Sequence, residues 1–228
     1  MQKYSLAIFD LNGTVLDDEP VWSKAFIRLF EEYGVRDQYF YHQPGIGITG
    51  NWKIYQAKIP AFQSLSTEEV RPKILSYYGA LLPSEVKYRN GVERFIEAIK
   101  TDGIHCILAT SLDRDILDGI TQAMPDLTKK FEMITTGDEV AAKKPAPDIF
   151  LLAFDRFNQH ADVKVEKNQA IIFEDSLAGI KAAEAAGIPA IYLPNADIES
   201  GASSTYPLLV ASDFTDKQLF DMVISGGD

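Results

Sequence analysis

The run Tyr4-Ser5-Leu6-Ala7-Ile8-Phe9-Asp10-Leu11-Asn12-Gly13-Thr14 decides the fold. A short apolar stretch that ends in an aspartate and passes into Asn-Gly-Thr reads as a buried strand delivering a polar loop at its carboxyl end. A strand this short is no domain by itself, so it must join a sheet made by later parts of the chain. That sheet is legible after Gly91. Helix (Val92 to Lys100), strand (Ile104 to Ala109), helix (Asp113 to Met124), strand (Phe131 to Thr135), helix (Asp148 to Phe157), strand (Ala170 to Phe173), helix (Ser176 to Ala186) and strand (Ala190 to Leu193) alternate. Such alternation predicts an α/β fold, a Rossmann-like parallel sheet with crossover helices.

Between the first strand and this region the periodicity differs. From Pro20, the residues Val21, Trp22, Ala25, Phe26, Leu29, Phe30 and Tyr33 recur at helical spacing and Gly34 is placed to end the run. Trp52 to Lys58 and Thr67 to Leu81 are also helix-like, and no strand with alternating faces stands out between Gly45 and Leu82. The chain is therefore divided into a core of residues 1–16 plus 88–228 and a helical cap of residues 17–87, inserted after the first strand. The aromatic face of Trp22, Phe26 and Phe30 is assigned to the cap's own core. The stretch with Gly45, Gly47, Thr49, Gly50 and Trp52 is assigned to a loop.

With 228 residues, 46% of them apolar, the chain can bury one core, or one core with an inserted lobe. Its formal charge of −11 repels a phosphate backbone, so no nucleic acid partner is expected. No stretch reaches the roughly 18 to 20 apolar residues of a bilayer span, and Met1 to Tyr4 carries no basic leader, so no membrane association and a cytoplasmic location are expected. The single Cys106 and the histidines His42, His105 and His160 offer no zinc cluster, and the histidines, in no catalytic pattern, are assigned structural or surface roles. Any metal must be held by oxygen. Oligomeric state is not legible.

In a doubly wound sheet, ligands bind outside the carboxyl ends of the strands. This sequence places Asp10 and Asn12 after the first strand, Thr110 and Ser111 after the strand ending at Ala109, Lys144 before the helix near Asp148, and Glu174 with Asp175 after Phe173. Asp10, Glu174 and Asp175 would crowd negative charge into one crevice, a cost that a divalent cation and Lys144 offset. A hard ion among oxygen ligands without a dedicated cage points to Mg²⁺. Phosphate then follows as the ligand. Amides around Gly13 and Thr14, with the hydroxyls of Thr110 and Ser111, are expected to cradle it.

The stretch Phe9-Asp10-Leu11-Asn12-Gly13-Thr14-Val15-Leu16-Asp17-Asp18-Glu19 resembles the first motif of the haloacid dehalogenase superfamily, whose phosphatases read D-x-D-G-[TV]. Thr110 matches the second motif, Lys144-Pro145-Ala146-Pro147-Asp148 the third, and Ile172-Phe173-Glu174-Asp175-Ser176 with Gly179 and Ile180 the fourth. The inserted helical segment resembles the cap of the β-phosphoglucomutase-like and sugar-phosphatase subgroup. The resemblance implies a Mg²⁺-dependent phosphomonoester hydrolase of small sugar phosphates or nucleotides. By the same resemblance Asp10 is the nucleophile that carries an aspartyl-phosphate and binds the metal. Asp175 and the backbone carbonyl of Asn12 complete the protein's metal ligands, Glu174 positions a metal-bound water or Asp175, and Thr110 and Lys144 hold phosphoryl oxygens.

One position departs from the pattern. The family's general acid/base aspartate, two residues after the nucleophile, is here Asn12, and an amide delivers no proton. Substrate and metal binding with impaired turnover is the expectation, and Asp17, Asp18 and Glu19 are the nearby candidates for the proton's source. Two other readings of the same motifs stay open: a β-phosphoglucomutase-like phosphotransferase, and a phosphate-ester-binding or regulatory paralogue that has lost the chemistry.

Overall fold

The computed structural model describes residues 4–36, 42–43, 46–194 and 206–224. Gly45 and the stretch from Ser225 onward lie outside the described residues. Strand β1 (Leu6–Phe9) is fully buried along its length. It can be so because both of its edges are paired in parallel, to β4 (His105–Ala109) through Leu6↔His105 and Phe9↔Leu108, and to β6 (Ala170–Glu174) through Leu6↔Ala170 and Phe9↔Phe173. A strand covered on both faces needs apolar side chains at successive positions, which is why this one reads as an unbroken apolar run.

The two faces separate by the period of the pleat. Ala7 and Phe9 join the hydrophobic cluster that holds α4 (Val92–Thr101) and α5 (Arg114–Ala123), while Leu6 and Ile8 join the cluster that holds α6 (Asp148–His160) and α7 (Leu177–Ala186). On the first face Phe9 stacks on Phe173 with ring centroids 4.6 Å apart. Each such ring, fully buried, stabilises the fold by about 1.5–3 kcal/mol.

The sheet order is β5-β4-β1-β6-β7-β8, all parallel, with β5 at Met133–Thr135, β7 at Ala190–Tyr192 and β8 at Leu209–Val210. The chain builds outward from β1 through β4 to β5, then crosses back to β6 beside β1 and builds the other way. The reversal point is β1 itself, so a crevice opens at its carboxyl end. β8 and the following α8 (Lys217–Val223) extend the sheet and cover one face, and neither was anticipated.

Three helices lie between β1 and the rest of the core: α1 (Glu19–Glu32), α2 (Gly47–Lys58) and α3 (Thr67–Glu85), and Gly47, Thr49, Gly50 and Trp52, expected in a loop, are helical in α2, where Ile48 and Trp52 are buried. A capping box of Ser66 and Glu69 starts α3, and Trp22 of α1 stacks on Tyr78 of α3 at 3.7 Å between centroids. The chain leaves and re-enters the core through two short antiparallel strands, β2 (Leu16–Asp17) and β3 (Lys87–Tyr88). Among the described residues no helix is long and apolar enough to cross a membrane.

Candidate active site

Three segments deliver four charged side chains to the carboxyl end of β1. Asp10 leaves β1, Glu174 ends β6 and Asp175 follows it, Lys144 precedes α6, and all four are buried. The turn after β6 is set by Ser176, which caps α7 by accepting from the Gly179 amide at 3.0 Å. Gly179 has no alternative there, since a Cβ would sit 1.9 Å from the Glu174 carboxylate.

The ammonium of Lys144 donates to Asp10 Oδ1 and, at 2.5 Å, to Glu174 Oε1. The other Glu174 oxygen accepts from the Ser176 amide at 2.7 Å and hydroxyl at 3.0 Å. Glu174 thus orients the lysine. Thr14 donates its hydroxyl to Asp175 Oδ1 at 3.4 Å.

One ligand oxygen from each of Asp10, Glu174 and Asp175 falls within 4.8 Å of the others. Burial pushes the Asp10 carboxyl up to about 7, with Lys144 opposing and Glu174 adding to the rise. Asp175 is held well above the usual carboxylate range by burial and by the charges of Glu174, Glu19 and Asp10, with Arg89 opposing. Burial alone would lower the Lys144 ammonium, but the charges of Asp10 and Glu174 outweigh it and raise that pKa above the ordinary lysine value. One ammonium against three buried carboxylates leaves an excess of negative charge that a divalent cation is suited to cancel. The acidic cluster fits such an ion.

Above this floor lies a cavity of about 300 Å³. The core contributes Asp10, Asn12, Ser111, Lys144 and Asp175 to its wall, and the helical side contributes Glu19, Trp22, Phe26, His42, Ile48 and Arg71. The Ser111 hydroxyl is buried and has no hydrogen-bond partner among the described residues, so it suits an oxygen of a bound ligand. Thr110 is fully buried beside it, its hydroxyl accepting from the Leu112 amide at 3.2 Å. Lys143, exposed at the rim, pairs with Asp113 at 2.7 Å, and Arg71 reaches the same carboxylate at 2.8 Å, joining α3 to the core.

The amides of Gly13 and Thr14, expected to cradle phosphate, are hydrogen-bonded within their own loop. The Gly13 amide donates to Asp18 Oδ1 at 3.2 Å and the Thr14 amide to the Leu11 carbonyl at 3.3 Å, because this loop folds back on itself before β2. Asn12 likewise turns toward Asp18, to which its amide donates. Asp18 also accepts from Trp22 Nε1 at 3.0 Å and from the Tyr78 hydroxyl at 2.7 Å. Burial, with the nearby Glu19 charge, pushes its carboxyl up to about 7 despite those donors.

A pKa raised on folding stabilises the protein fully below the unfolded value and loses that contribution as pH rises through the folded one. Asp18 therefore makes stability fall between about pH 4 and pH 7. Urea denaturation across that window in EDTA is expected to show this decline, and Asp18→Asn to flatten it; an equal slope in both proteins would show that the carboxyl titrates normally.

Two features of the site had no signal in the sequence. Arg89, just after β3, is buried and donates to the carbonyl of Gly13, to those of Leu193 at 2.6 Å and Pro194 at 2.9 Å, and to that of Ser212 at 3.0 Å. His42, expected to be structural or on the surface, lines the cavity with its Nε2 at 2.8 Å from Glu19 Oε2.

Known proteins share both the sequence pattern and the fold. The haloacid dehalogenase-like hydrolase family matches residues 7–193. A phosphorylated carbohydrates phosphatase of Thermotoga maritima is 31% identical, over 81% of this chain and 82% of its own. The fructose-1-phosphate phosphatase YqaB of Escherichia coli is 32% identical, over 83% of this chain and 96% of its own. The crystal structure of CbbY from Rhodobacter sphaeroides in complex with phosphate superposes with a TM-score of 0.75 at 24% identity, covering 95% of this chain and 96% of that one. With its ordered motifs gathered at the end of a parallel sheet, this chain belongs to the haloacid dehalogenase-like hydrolases, with asparagine where the family carries its acid/base aspartate.

Proposed function

We infer that the chain is a Mg²⁺-dependent phosphatase of small phosphorylated metabolites, sugar phosphates or nucleotides, working through a phosphorylated Asp10. The observation that carries this reading is the buried Asp10 carboxylate, held by Lys144 at the floor of a cavity beside two further carboxylates. The relatives named for phosphorylated carbohydrates and fructose-1-phosphate support the sugar-phosphate side of the reading. A cavity of about 300 Å³ is of the size that holds a small metabolite.

Mg²⁺ held by Asp10, Asp175 and the Asn12 carbonyl would supply positive charge against the carboxylates and the phosphoryl group. The chain's own residues do the rest. A carboxylate oxygen of Asp10 attacks phosphorus, a P–O bond to Asp10 forms and the P–O bond to the leaving alcohol breaks. Lys144, with the hydroxyls of Thr110 and Ser111, meets the charge that develops on the phosphoryl oxygens, and Glu174 keeps the lysine in place. Water then releases phosphate from Asp10. Trp22, Phe26 and Ile48 on the helical side exclude bulk solvent from the reaction. Asn12 takes no part in moving protons, which keeps turnover below that of an otherwise equal site with a carboxyl there.

The test is phosphate release from a panel of hexose phosphates and nucleoside monophosphates in Mg²⁺, with intact-mass measurement after acid quench. A single phosphoryl adduct is expected on the unaltered chain and none on Asp10→Asn, which should also lose turnover. Turnover that survives in Asp10→Asn would overturn the reading. Isomerised sugar phosphate without free phosphate would make the chain a mutase, and ester binding without any adduct a binding protein.

A further inference from the structure

Phosphoryl transfer from an alkyl ester needs a proton for the leaving oxygen, and position 12 holds none. The three nearby candidates separate by geometry. Asp17 is exposed on β2 and lies outside the cavity wall. Asp18 is sealed off, fully buried behind Asn12, its oxygens taken up by Asn12, the Gly13 amide, Trp22 and Tyr78. Of the three, Glu19 alone lines the cavity, across from Asp10 and Asn12 on the core side.

Glu19 also has a partner suited to holding a proton with it. His42 Nε2 lies 2.8 Å from Glu19 Oε2, and the two side chains are only 12% and 15% exposed. His42 lies beside the Phe26 ring, with centroids 5.7 Å apart, so an apolar wall flanks the pair on that side. A carboxylate and an imidazole thus lie side by side at the cavity, and both are side chains that serve as general acids and bases. Asn12, Glu19 and His42 line one cavity, so the pair faces the same space as the position left without a proton.

We propose that Glu19 and His42 act together as the general acid and base of this site, in place of the residue at position 12. The proposal rests on the phosphatase reading. In the first half-reaction the Asp10–phosphorus bond forms, the bond from phosphorus to the leaving oxygen breaks, and that oxygen takes a proton from the pair. In the second, a water oxygen bonds to phosphorus, the Asp10–phosphorus bond breaks, and the water's proton returns to the pair. The sum is ester plus water giving alcohol plus phosphate, with both protein groups restored.

The decisive variable is the leaving group, because an aryl oxygen departs without a proton and an alkyl oxygen does not. Glu19→Gln is expected to slow alkyl phosphomonoester hydrolysis by about 10²-fold or more. The same variant should still release nitrophenolate from p-nitrophenyl phosphate as a rapid burst, then stall with the Asp10 adduct visible by intact mass, since the second half-reaction needs the base. His42→Asn is a second variant on the other partner, and the same pattern is expected. Loss of the burst in both variants would mark a binding or structural role, and unchanged rates on both esters would mark no role; either overturns the proposal. Failure of the unaltered chain to turn over either ester in Mg²⁺ overturns instead the phosphatase reading beneath it.

Discussion

Asn12→Asp, built into the Glu19→Gln background, is expected to raise alkyl phosphomonoester turnover by about 10²-fold or more, the lower end of what a positioned acid contributes. The new carboxyl would meet Asp18 where the Asn12 amide now donates, and two carboxyls in contact do not both ionise. One stays protonated near neutral pH, which is the form a leaving alkoxide needs. In the unaltered chain the gain should be smaller, because Glu19 and His42 already supply the proton. Steady-state rates of the four proteins, wild type, both single variants and the double, close the cycle. The same gain in both backgrounds would show that positions 12 and 19 do not share a task.

The second large effect is on the lysine. Lys144→Met removes the cation that touches Asp10 and Glu174 in a region where all three side chains are buried. Removing one partner of a buried pair costs about 3–5 kcal/mol, and urea denaturation in EDTA should show a loss of that size. Saturating Mg²⁺ should recover part of it, since the ion replaces some of the missing charge. A loss below about 1 kcal/mol, the size of an exposed pair, would show that the two carboxyls simply take up protons instead. Turnover should fall as well, by about 10²–10³-fold, as for loss of a fixed donor to the developing charge.

Strand β1 could be read from the sequence because a strand paired on both edges and covered on both faces leaves a continuous apolar run, and Leu6 to Phe9 is one. β8 could not, because Leu209–Val210 is two residues long, pairs on one edge only and is partly exposed. The pair β2 and β3 escaped for the same reason, and their role appears only when the two crossings of the chain meet. The crevice followed from the fold: once β1 is central, Asp10, Lys144, Glu174 and Asp175 must converge at its end.

Other parts of the site depend on contacts that no local pattern encodes. His42 follows α1 in a connecting segment, and only the folded chain brings it back to Glu19 at the start of that helix. The Gly13 amide looked free in the sequence, but Asp18 lies five residues on and takes it. Asp18 was a candidate proton source, yet the donors gathered around it leave it facing away from the cavity.

Arg89 has a mechanical consequence. Its amide is bonded to the Val15 carbonyl at 2.9 Å and its guanidinium grips Gly13, Leu193, Pro194 and Ser212, so both crossings of the chain are riveted to the sheet at their root. Any rocking of α1 to α3 must then pivot outside that rivet, with the arginine as fulcrum. Glu19 and His42 lie on the helical side of that rivet, whereas Asp10 and Lys144 lie on the sheet side, so a pivot there leaves the nucleophile's aim unchanged.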